Sequence, residues 1–294
     1  MVRPAPFNWR LPGSLVAFPS RGRRLDGFWR HDDKQRGCLF VLVHGMGGDF
    51  YHSVLKKTLM GRAASADCDV LSFNNAGAGE GVRTERFSDC LADLDAALAF
   101  GRRAGYQRFV LAGHSTGCQK IAYYQARRAD PAVEALVHLA PGDDHAILRR
   151  DLGESGLRRL TTWARRRVKA GHGGDPLPAG GGVPGFCVGF SARRFLSIAD
   201  PDSLEARIFQ YDGGLRVFSR LTLPMLVLFG TREEYACLPL AGMEARLKAA
   251  TASRHFVFKA IRGADHGFHG HERETADAVT AFLKPVRLPG KAGR

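Results

Sequence analysis

The stretch of sequence that most constrains the fold is an apolar run that leads into a serine flanked by glycines. Residues 109–124 read FVLAGHSTGCQKIAYY, with Gly113 two positions before Ser115 and Gly117 two positions after it. The apolar run predicts a buried strand, and the segment after the serine has the periodicity of a helix. Glycines at both positions remove the Cβ atoms that would clash where a chain turns sharply from strand to helix. The stretch therefore predicts a serine hydroxyl held above the edge of a sheet.

A serine in such a turn is a candidate nucleophile. The backbone N–H of Thr116 lies where the predicted helix begins, so it can stabilise negative charge that develops on an attacked carbonyl oxygen. The five-residue pattern G-x-S-x-G also occurs in ordinary strand-to-helix turns, so a catalytic interpretation needs partner residues elsewhere in the chain.

A second glycine-rich turn follows an earlier apolar run. Residues 38–43, CLFVLV, predict a buried strand that leads into HGMGG at residues 44–48. Because glycines let a loop approach a reacting carbonyl closely, the N–H of Met46 is the predicted second oxyanion donor. A flexible turn or a phosphate-binding loop are the alternatives, although neither G-x-x-x-x-G-K-[S/T] nor G-x-G-x-x-G spacing is present. We expect His44 to form structural hydrogen bonds, and His44 and Gly45 to adjoin the substrate.

The rest of the chain repeats a strand, a turn and a helix. Apolar runs predict strands at residues 14–19, 25–30, 38–43, 69–73, 109–112, 135–140, 224–229 and 255–261. Helical periodicity is present at residues 52–64, 87–98 and 275–283. This alternation is typical of parallel βαβ units, so we expect an α/β fold with a mostly parallel central sheet flanked by helices.

The alternation fails between residues 145 and 220. This stretch contains basic helical turns, aromatic residues and the Gly/Pro-rich segment 171–185. Because a lid needs an apolar underside, we expect a lid inserted between two strands, with a mobile glycine-rich part. A long surface excursion is the alternative. The predicted organisation is a core of residues 1–144 and 221–294 with a lid or cap at 145–220.

A serine hydroxyl is a poor nucleophile at neutral pH, so it needs a histidine to take its proton and a carboxylate to orient that histidine. Glu233 follows Gly230 after a late strand, and His266 lies in the turn after the last strand. The resulting order is serine, acid, histidine. Glu234 and Asp144 remain alternatives for the acid. Asp144 could also position the substrate or cap a helix.

Together these motifs resemble the α/β-hydrolase superfamily over nearly the full length: HGMGG, GHSTG, FGTREEY and GADHGF. The string GHSTGCQ also resembles a hydrolase group that includes fungal siderophore esterases. The superfamily resemblance implies Ser115 as nucleophile, His266 as general base and then acid, Glu233 as orienting carboxylate, and an oxyanion hole of the Met46 and Thr116 N–H groups. Most relatives carry aspartate at the position of Glu233. Hydrolysis of a carboxylic ester is implied, with no metal or organic cofactor.

The net charge of +14 raises the question of nucleic acid or an anionic membrane as a partner. The charge lies in short arginine runs without a zinc finger, a helix-turn-helix or an RNA-binding pattern, so we expect a basic surface and no nucleic acid. Some arginines could guide an anionic substrate. Without an apolar run of about 20 residues, a secretion signal or a C-x-x-C pair, the sequence predicts a cytoplasmic protein with reduced cysteines and no membrane span.

Two classes of function remain open at this stage. A serine esterase is the leading hypothesis, and thioester, lactone or amide hydrolysis or acyl transfer would use the same chemistry. A catalytically silent protein of the same fold, acting as a small-ligand receptor or interaction module, is the alternative. The oligomeric state and the identity of the substrate do not follow from the sequence.

Overall fold

The computed structural model of the chain describes residues 10–34, 36–178, 182–183 and 186–285. The strands are β1 Ser14–Ser20, β2 Arg23–Arg30, β3 Cys38–Val43, β4 Cys68–Phe73, β5 Phe109–His114, β6 Val133–Leu139, β7 Gly182–Val183, β8 Phe186–Gly189, β9 Met225–Gly230 and β10 Phe256–Ile261. The α-helices are α1 Val54–Arg62, α2 Asp89–Arg103, α3 Thr116–Arg128, α4 Asp144–Lys169, α5 Ala192–Ala199, α6 Leu240–Ala250 and α7 Glu272–Leu283.

Eight strands form one sheet in the order β1-β2-β4-β3-β5-β6-β9-β10. β1 and β2 form an antiparallel hairpin, and β2 is also antiparallel to β4. The other neighbours in this sheet, in the order β4-β3-β5-β6-β9-β10, pair in parallel, while β7 and β8 form a separate antiparallel pair. The sheet is therefore mostly parallel, as the alternating pattern predicts.

The central strands are buried because their sequences are continuous apolar runs. Every residue of β3, β4 and β9 is buried, as is all of β5 except His114. Strands that are covered on both faces need apolar side chains in both directions, which explains the absence of polar alternation. The helices α1 and α7 pack against each other, as do α2 and α3. The catalytic candidates sit where these strands end.

A second cluster of apolar side chains is built mainly by the chain between β6 and β9, with Val82 added from the segment after β4. It consists of Val82, Leu148, Leu157, Ala164, Leu177, Val183, Phe190, Ala192, Phe195, Ile198 and Ala199. α4 crosses this region with a kink at Gly153, whose φ of 67° and ψ of 164° are not helical. Further along, Ile208, Phe209 and Phe218 join the main core instead. The division into a core and a lid stays a prediction, and parts of its Gly/Pro-rich segment, 179–181 and 184–185, lie outside the described residues.

Within the described ranges, no helix combines the length and the apolar character needed to cross a membrane. The cysteines with described side chains, Cys38, Cys68, Cys90, Cys118 and Cys237, are free thiols. The described side chains also contain no group of three or more His, Cys, Asp or Glu residues arranged to hold a metal ion.

Candidate active site

Ser115 lies in a sharp turn between β5 and α3. Its φ of 56° and ψ of −128° belong to neither element. A Cβ atom on Gly113 would lie 2.3 Å from the carbonyl of Gly117, and one on Gly117 would lie 2.2 Å from the carbonyl oxygen of Val43. No larger residue fits at either position, so the two glycines allow the strained backbone at Ser115.

The HGMGG loop after β3 passes directly over the serine. A Cβ atom on Gly45 would lie 2.8 Å from the Cβ of Ser115, so glycine lets the loop backbone reach this position. His44 is buried behind the loop, where its Nδ1 donates to the Gly45 carbonyl (2.7 Å) and its Nε2 accepts from the Asn75 N–H (3.1 Å). Burial lowers the pKa of His44 well below its usual value. The neutral ring thus holds the loop in place.

The two predicted oxyanion donors, Met46 and Thr116, both line a cavity that also contains Ser115. Among the described residues, neither main-chain N–H has a hydrogen-bond acceptor. Thr116 is the first residue of α3, where the N–H groups have no partner inside the helix and carry the positive end of the helix dipole. Both amides are therefore available to bind an oxygen that carries negative charge.

His266 is held by hydrogen bonds from two other segments of the chain. Its Nδ1 donates to Oε1 of Glu233 (2.6 Å), and its main-chain N–H donates to Oε2 of Glu234 (2.9 Å). Its carbonyl oxygen accepts from Nε2 of His114 (2.9 Å). Since Nδ1 keeps its proton in the hydrogen bond to Glu233, Nε2 of His266 is the ring nitrogen left free to act as a base.

The acid turn and the histidine turn meet because β9 and β10 are parallel neighbours. A Cβ atom on Gly230 would lie 2.2 Å from the carbonyl oxygen of Ala264, so glycine permits this close approach. The Glu233 side chain is 2% exposed, whereas that of His266 is 15% exposed. The carboxylate is therefore sealed behind an imidazole that faces the cavity.

One cavity of about 670 Å³ contains Ser115 and His266 together. Its wall includes residues from the glycine loop, from α1, from α4 and from β8. The remaining lining residues include Gly45, Met46, His52, Val54, Leu55, Lys56, Thr116, Asp144, Ile147, Phe186, Glu234, Tyr235, His269 and Glu272. The volume suits a small organic molecule.

Asp144 also lines this cavity, but among the described residues its carboxylate has no hydrogen bond or ion pair with a histidine. It begins α4, is buried, and its Oδ2 accepts from the side-chain amide of Gln119 (3.2 Å). Burial, and then the negative charge of Glu205, raise the pKa of Asp144 well above its usual value. The side chain that caps α4 is that of Asp143, which accepts from the Ala146 N–H at 3.0 Å.

Several residues around the cavity have no signal in the sequence. His114 is one example, because it forms a hydrogen bond with the backbone of His266. Lys56 is another, because it is only 6% exposed although lysines usually lie on the surface. Tyr235 places its ring edge-on to that of His266, with 4.7 Å between the ring centres. Each depends on a contact between distant segments, which no local pattern records.

The family whose description is "Protein of unknown function (DUF1749)" matches residues 73–284. A search of curated proteins gave no match. Among solved structures, the siderophore hydrolase EstB from Aspergillus fumigatus is similar with a TM-score of 0.70 and 17% identity, over 97% of this chain and 99% of that chain.

Two other solved structures are similar. Est1E from Butyrivibrio proteoclasticus, with bound ferulic acid, has a TM-score of 0.67 and 17% identity over 91% of this chain and 97% of its own. A thermostable carboxyl esterase from Bacillus coagulans, in complex with glycerol, has a TM-score of 0.68 and 11% identity over 95% and 100% of the two chains. Similarity at these identities establishes a shared fold.

Proposed function

The chain belongs to the family described as "Protein of unknown function (DUF1749)" and shares its fold with solved hydrolases, and from this premise we propose that it is a serine hydrolase of the α/β-hydrolase superfamily. Its reaction is the cleavage of a carboxylic ester of a small molecule through an acyl-enzyme. Ser115 is the nucleophile, His266 the general base and acid, and Glu233 the orienting carboxylate.

The first half of the reaction transfers the acyl group to the enzyme. Nε2 of His266 takes the hydroxyl proton as Ser115 Oγ attacks the ester carbonyl. The N–H groups of Met46 and Thr116 bind the oxyanion of the tetrahedral intermediate. The C–O bond to the alcohol then breaks, and the imidazolium of His266 gives its proton to the leaving oxygen.

The second half releases the acid. Water enters the space left by the alcohol, His266 takes one of its protons, and the hydroxide attacks the acyl-enzyme carbonyl. The bond to Ser115 Oγ breaks, the serine recovers its proton, and the carboxylic acid leaves. Glu233 stays ionised throughout and stabilises the imidazolium.

The observation that carries the proposal is the 2.6 Å hydrogen bond between His266 and Glu233 beside a cavity that also contains Ser115. The solved structures with this fold include a siderophore hydrolase, a ferulic-acid-binding protein and a carboxyl esterase, and these names support ester chemistry in the proposal. Ile147 and Phe186 of the inserted region line the cavity, in keeping with a lid at residues 145–220.

A fluorophosphonate probe tests the proposal directly, because it reacts covalently with an activated serine. We expect labelling of the purified protein, loss of labelling in Ser115→Ala, and full labelling in Ser65→Ala, whose serine is exposed and distant in the sequence. Turnover of p-nitrophenyl esters should follow the same order. Folded protein that takes no label and cleaves no ester would favour the receptor alternative.

A panel of esters, thioesters, lactones and amides separates the remaining alternatives within this chemistry. Acyl transfer is distinguished from hydrolysis by adding an alcohol acceptor and measuring whether a new ester appears in place of the free acid. The predicted cytoplasmic location and the absence of a nucleic-acid partner stay predictions.

A further inference from the structure

Lys56 is a cationic residue in the cavity wall that the proposed reaction does not use. It lies in the first turn of α1 and lines the same cavity as Ser115 and His266. The residue is only 6% exposed, so nearly all of its surface is removed from bulk water. A lysine in such a place is uncommon, because burial of a charge costs free energy unless a partner offsets it.

The ammonium group of Lys56 has few partners within the protein. Its Nζ donates to the main-chain carbonyl oxygen of Asp49, and no carboxylate of the described residues lies within ion-pair distance. An ammonium carries three N–H donors, so two remain for a ligand. Burial lowers the pKa of Lys56 to about 8, while the charge of Asp49 opposes this shift. At neutral pH the charged form therefore still predominates.

The carboxyl groups around the cavity do not neutralise this lysine. The Asp49 carboxylate is taken up by N–H groups and the imidazole of the loop that follows it. Glu234 accepts from the main chain of His266, and the raised pKa of Asp144 favours its neutral acid form. Glu272 begins α7 and lines the cavity, and it forms no ion pair with Lys56 in the described part of the chain.

We propose that Lys56 binds a carboxylate of the substrate, so that the enzyme acts on esters that carry a carboxylate in addition to the ester bond. A carboxylate would accept charge-assisted hydrogen bonds from the spare ammonium donors and supply the missing counter-charge. Val54, Leu55, Ile147 and Phe186 give the cavity apolar walls for the carbon chain between the two groups. This inference rests on the proposed hydrolase function.

The test compares matched pairs of esters in the full-length protein. In the first pair, the acyl chain of one ester ends in a carboxylate and that of the other ends in a methyl group. In the second pair, the acyl chain is the same, and the alcohol part ends in a carboxylate or in a methyl group. Lys56→Gln removes the charge but keeps a donor for the Asp49 carbonyl. We expect this substitution to lower kcat/KM for one of the carboxylate esters by about 10- to 100-fold and to change the neutral esters by less than about 3-fold.

Lys57→Gln is the matched control. Lys57 is the next residue of α1, but its Nζ lies over the ring of Tyr51, 4.6 Å from the ring centre, and the residue does not line the cavity. We expect the control to leave the rates of charged and neutral esters unchanged. If Lys56→Gln does not fold, Lys56→Met is tested with the same substrates.

A binding measurement keeps the inference separate from the hydrolase proposal. Calorimetric titration with short dicarboxylates should give binding to the wild type that is weakened at least about 10-fold in Lys56→Gln, whether or not an ester is cleaved. Equal losses of kcat/KM on charged and neutral esters, or an unchanged affinity for dicarboxylates in Lys56→Gln, would overturn the role of Lys56. Neither result would contradict the hydrolysis of esters by the wild type. If the fluorophosphonate probe does not label Ser115 but Lys56 still binds dicarboxylates, the result contradicts the proposed hydrolase and leaves the carboxylate site in place.

Discussion

At the scale of single residues, the two adjacent glutamates hold different parts of one histidine. Glu233 bonds to the ring of His266, and Glu234 bonds to its main-chain N–H. His114 completes the arrangement from the opposite side by donating to the carbonyl oxygen. Burial, reinforced by the nearby charge of His266, lowers the pKa of His114 to about 3, so its ring stays neutral and keeps the Nε2 proton that this bond requires. His266, the proposed general base, is thus fixed through both its ring and its backbone.

These different contacts predict different effects of two similar substitutions. Glu233→Gln replaces the charged acceptor of Nδ1 with an amide, so we expect kcat to fall by about 100-fold or more, because the imidazolium loses its stabilising charge. Glu234→Gln keeps an oxygen that can accept from the His266 N–H, and kcat should change by less than about 3-fold. Steady-state rates on a p-nitrophenyl ester check both values. Equal losses, or a larger loss in Glu234→Gln, would reassign the acid.

His138 predicts a contribution to the pH dependence of stability. Its ring is fully buried against Phe209 and Phe218, both ring nitrogens lack a hydrogen-bond partner in the described structure, and burial lowers its pKa to about 3. Below pH 6.5, the ordinary pKa of about 6.5 lets His138 bind a proton in the unfolded chain, whereas the buried ring of the native state stays neutral. Native stability therefore falls as the pH falls from about 6.5 towards 3.

The substitution His138→Phe removes this proton linkage. Between pH 7 and pH 5 the wild type should lose about 2 kcal/mol through His138, and the variant should lose correspondingly less. Urea unfolding at both pH values measures the difference, with His172→Gln as a control because His172 is exposed. The same pH dependence in variant and wild type would contradict the prediction.

At the scale of elements, a substitution at the kink of α4 should show how strongly its backbone is constrained. Gly153 adopts a φ of 67° and a ψ of 164°, a region that residues with a Cβ atom avoid. We expect Gly153→Ala to lower the free energy of unfolding by about 1 to 3 kcal/mol. Gly156→Ala is the matched control, because its added Cβ meets only the Leu152 side chain at 3.4 Å, and helix propensity favours alanine. Thermal unfolding of both variants tests this, and a larger loss in the control would contradict it.

The strands and the turns beside them could be predicted because their signals are local. Buried parallel strands need continuous apolar runs, and the turns at Ser115 and Gly230 need glycines. The mostly parallel sheet flanked by helices therefore follows from the sequence pattern, and the structure confirms it. The sequence did not predict α6, because only Met243 and Leu247 of this helix are buried and the helical periodicity of apolar residues is therefore weak. Lys56 escaped prediction because a lysine in an amphipathic segment is usually exposed.

At the scale of the whole molecule, buried charges join α3 to the segment between β6 and β9. Lys120 of α3 lies 2.5 Å from Glu85, and Arg194 of α5 lies 3.7 Å from the same carboxylate. Arg194 also forms a two-pronged pair with Glu205, at 2.6 and 2.9 Å. The side chains of these four residues are at most 1% exposed. Sequence patterns could not predict the cluster, because each member reads as a surface charge and the contacts join distant segments.

Removal of Arg194 should be strongly destabilising. Arg194→Met leaves the Glu205 carboxylate buried without its cationic partner, and we expect the free energy of unfolding to fall by about 3 to 5 kcal/mol. Arg193→Met is the control, because Arg193 is the preceding residue of α5 and is exposed. Denaturant unfolding measures both, and a loss of less than about 1 kcal/mol in Arg194→Met would show that Glu205 is neutralised in another way.

The shared carboxylate of Glu85 limits how this protein can be re-engineered. Glu85 and Lys120 balance each other in charge, and the later segment adds one cation, Arg194, and one carboxylate, Glu205, to the same buried cluster. If the segment that carries Arg194 and Glu205 is exchanged to change the substrate range, the replacement has to place a cation beside Glu85. It also has to supply a carboxylate that neutralises this cation. Otherwise the exchange disturbs α3, the helix that follows Ser115, however well the transplanted segment folds by itself.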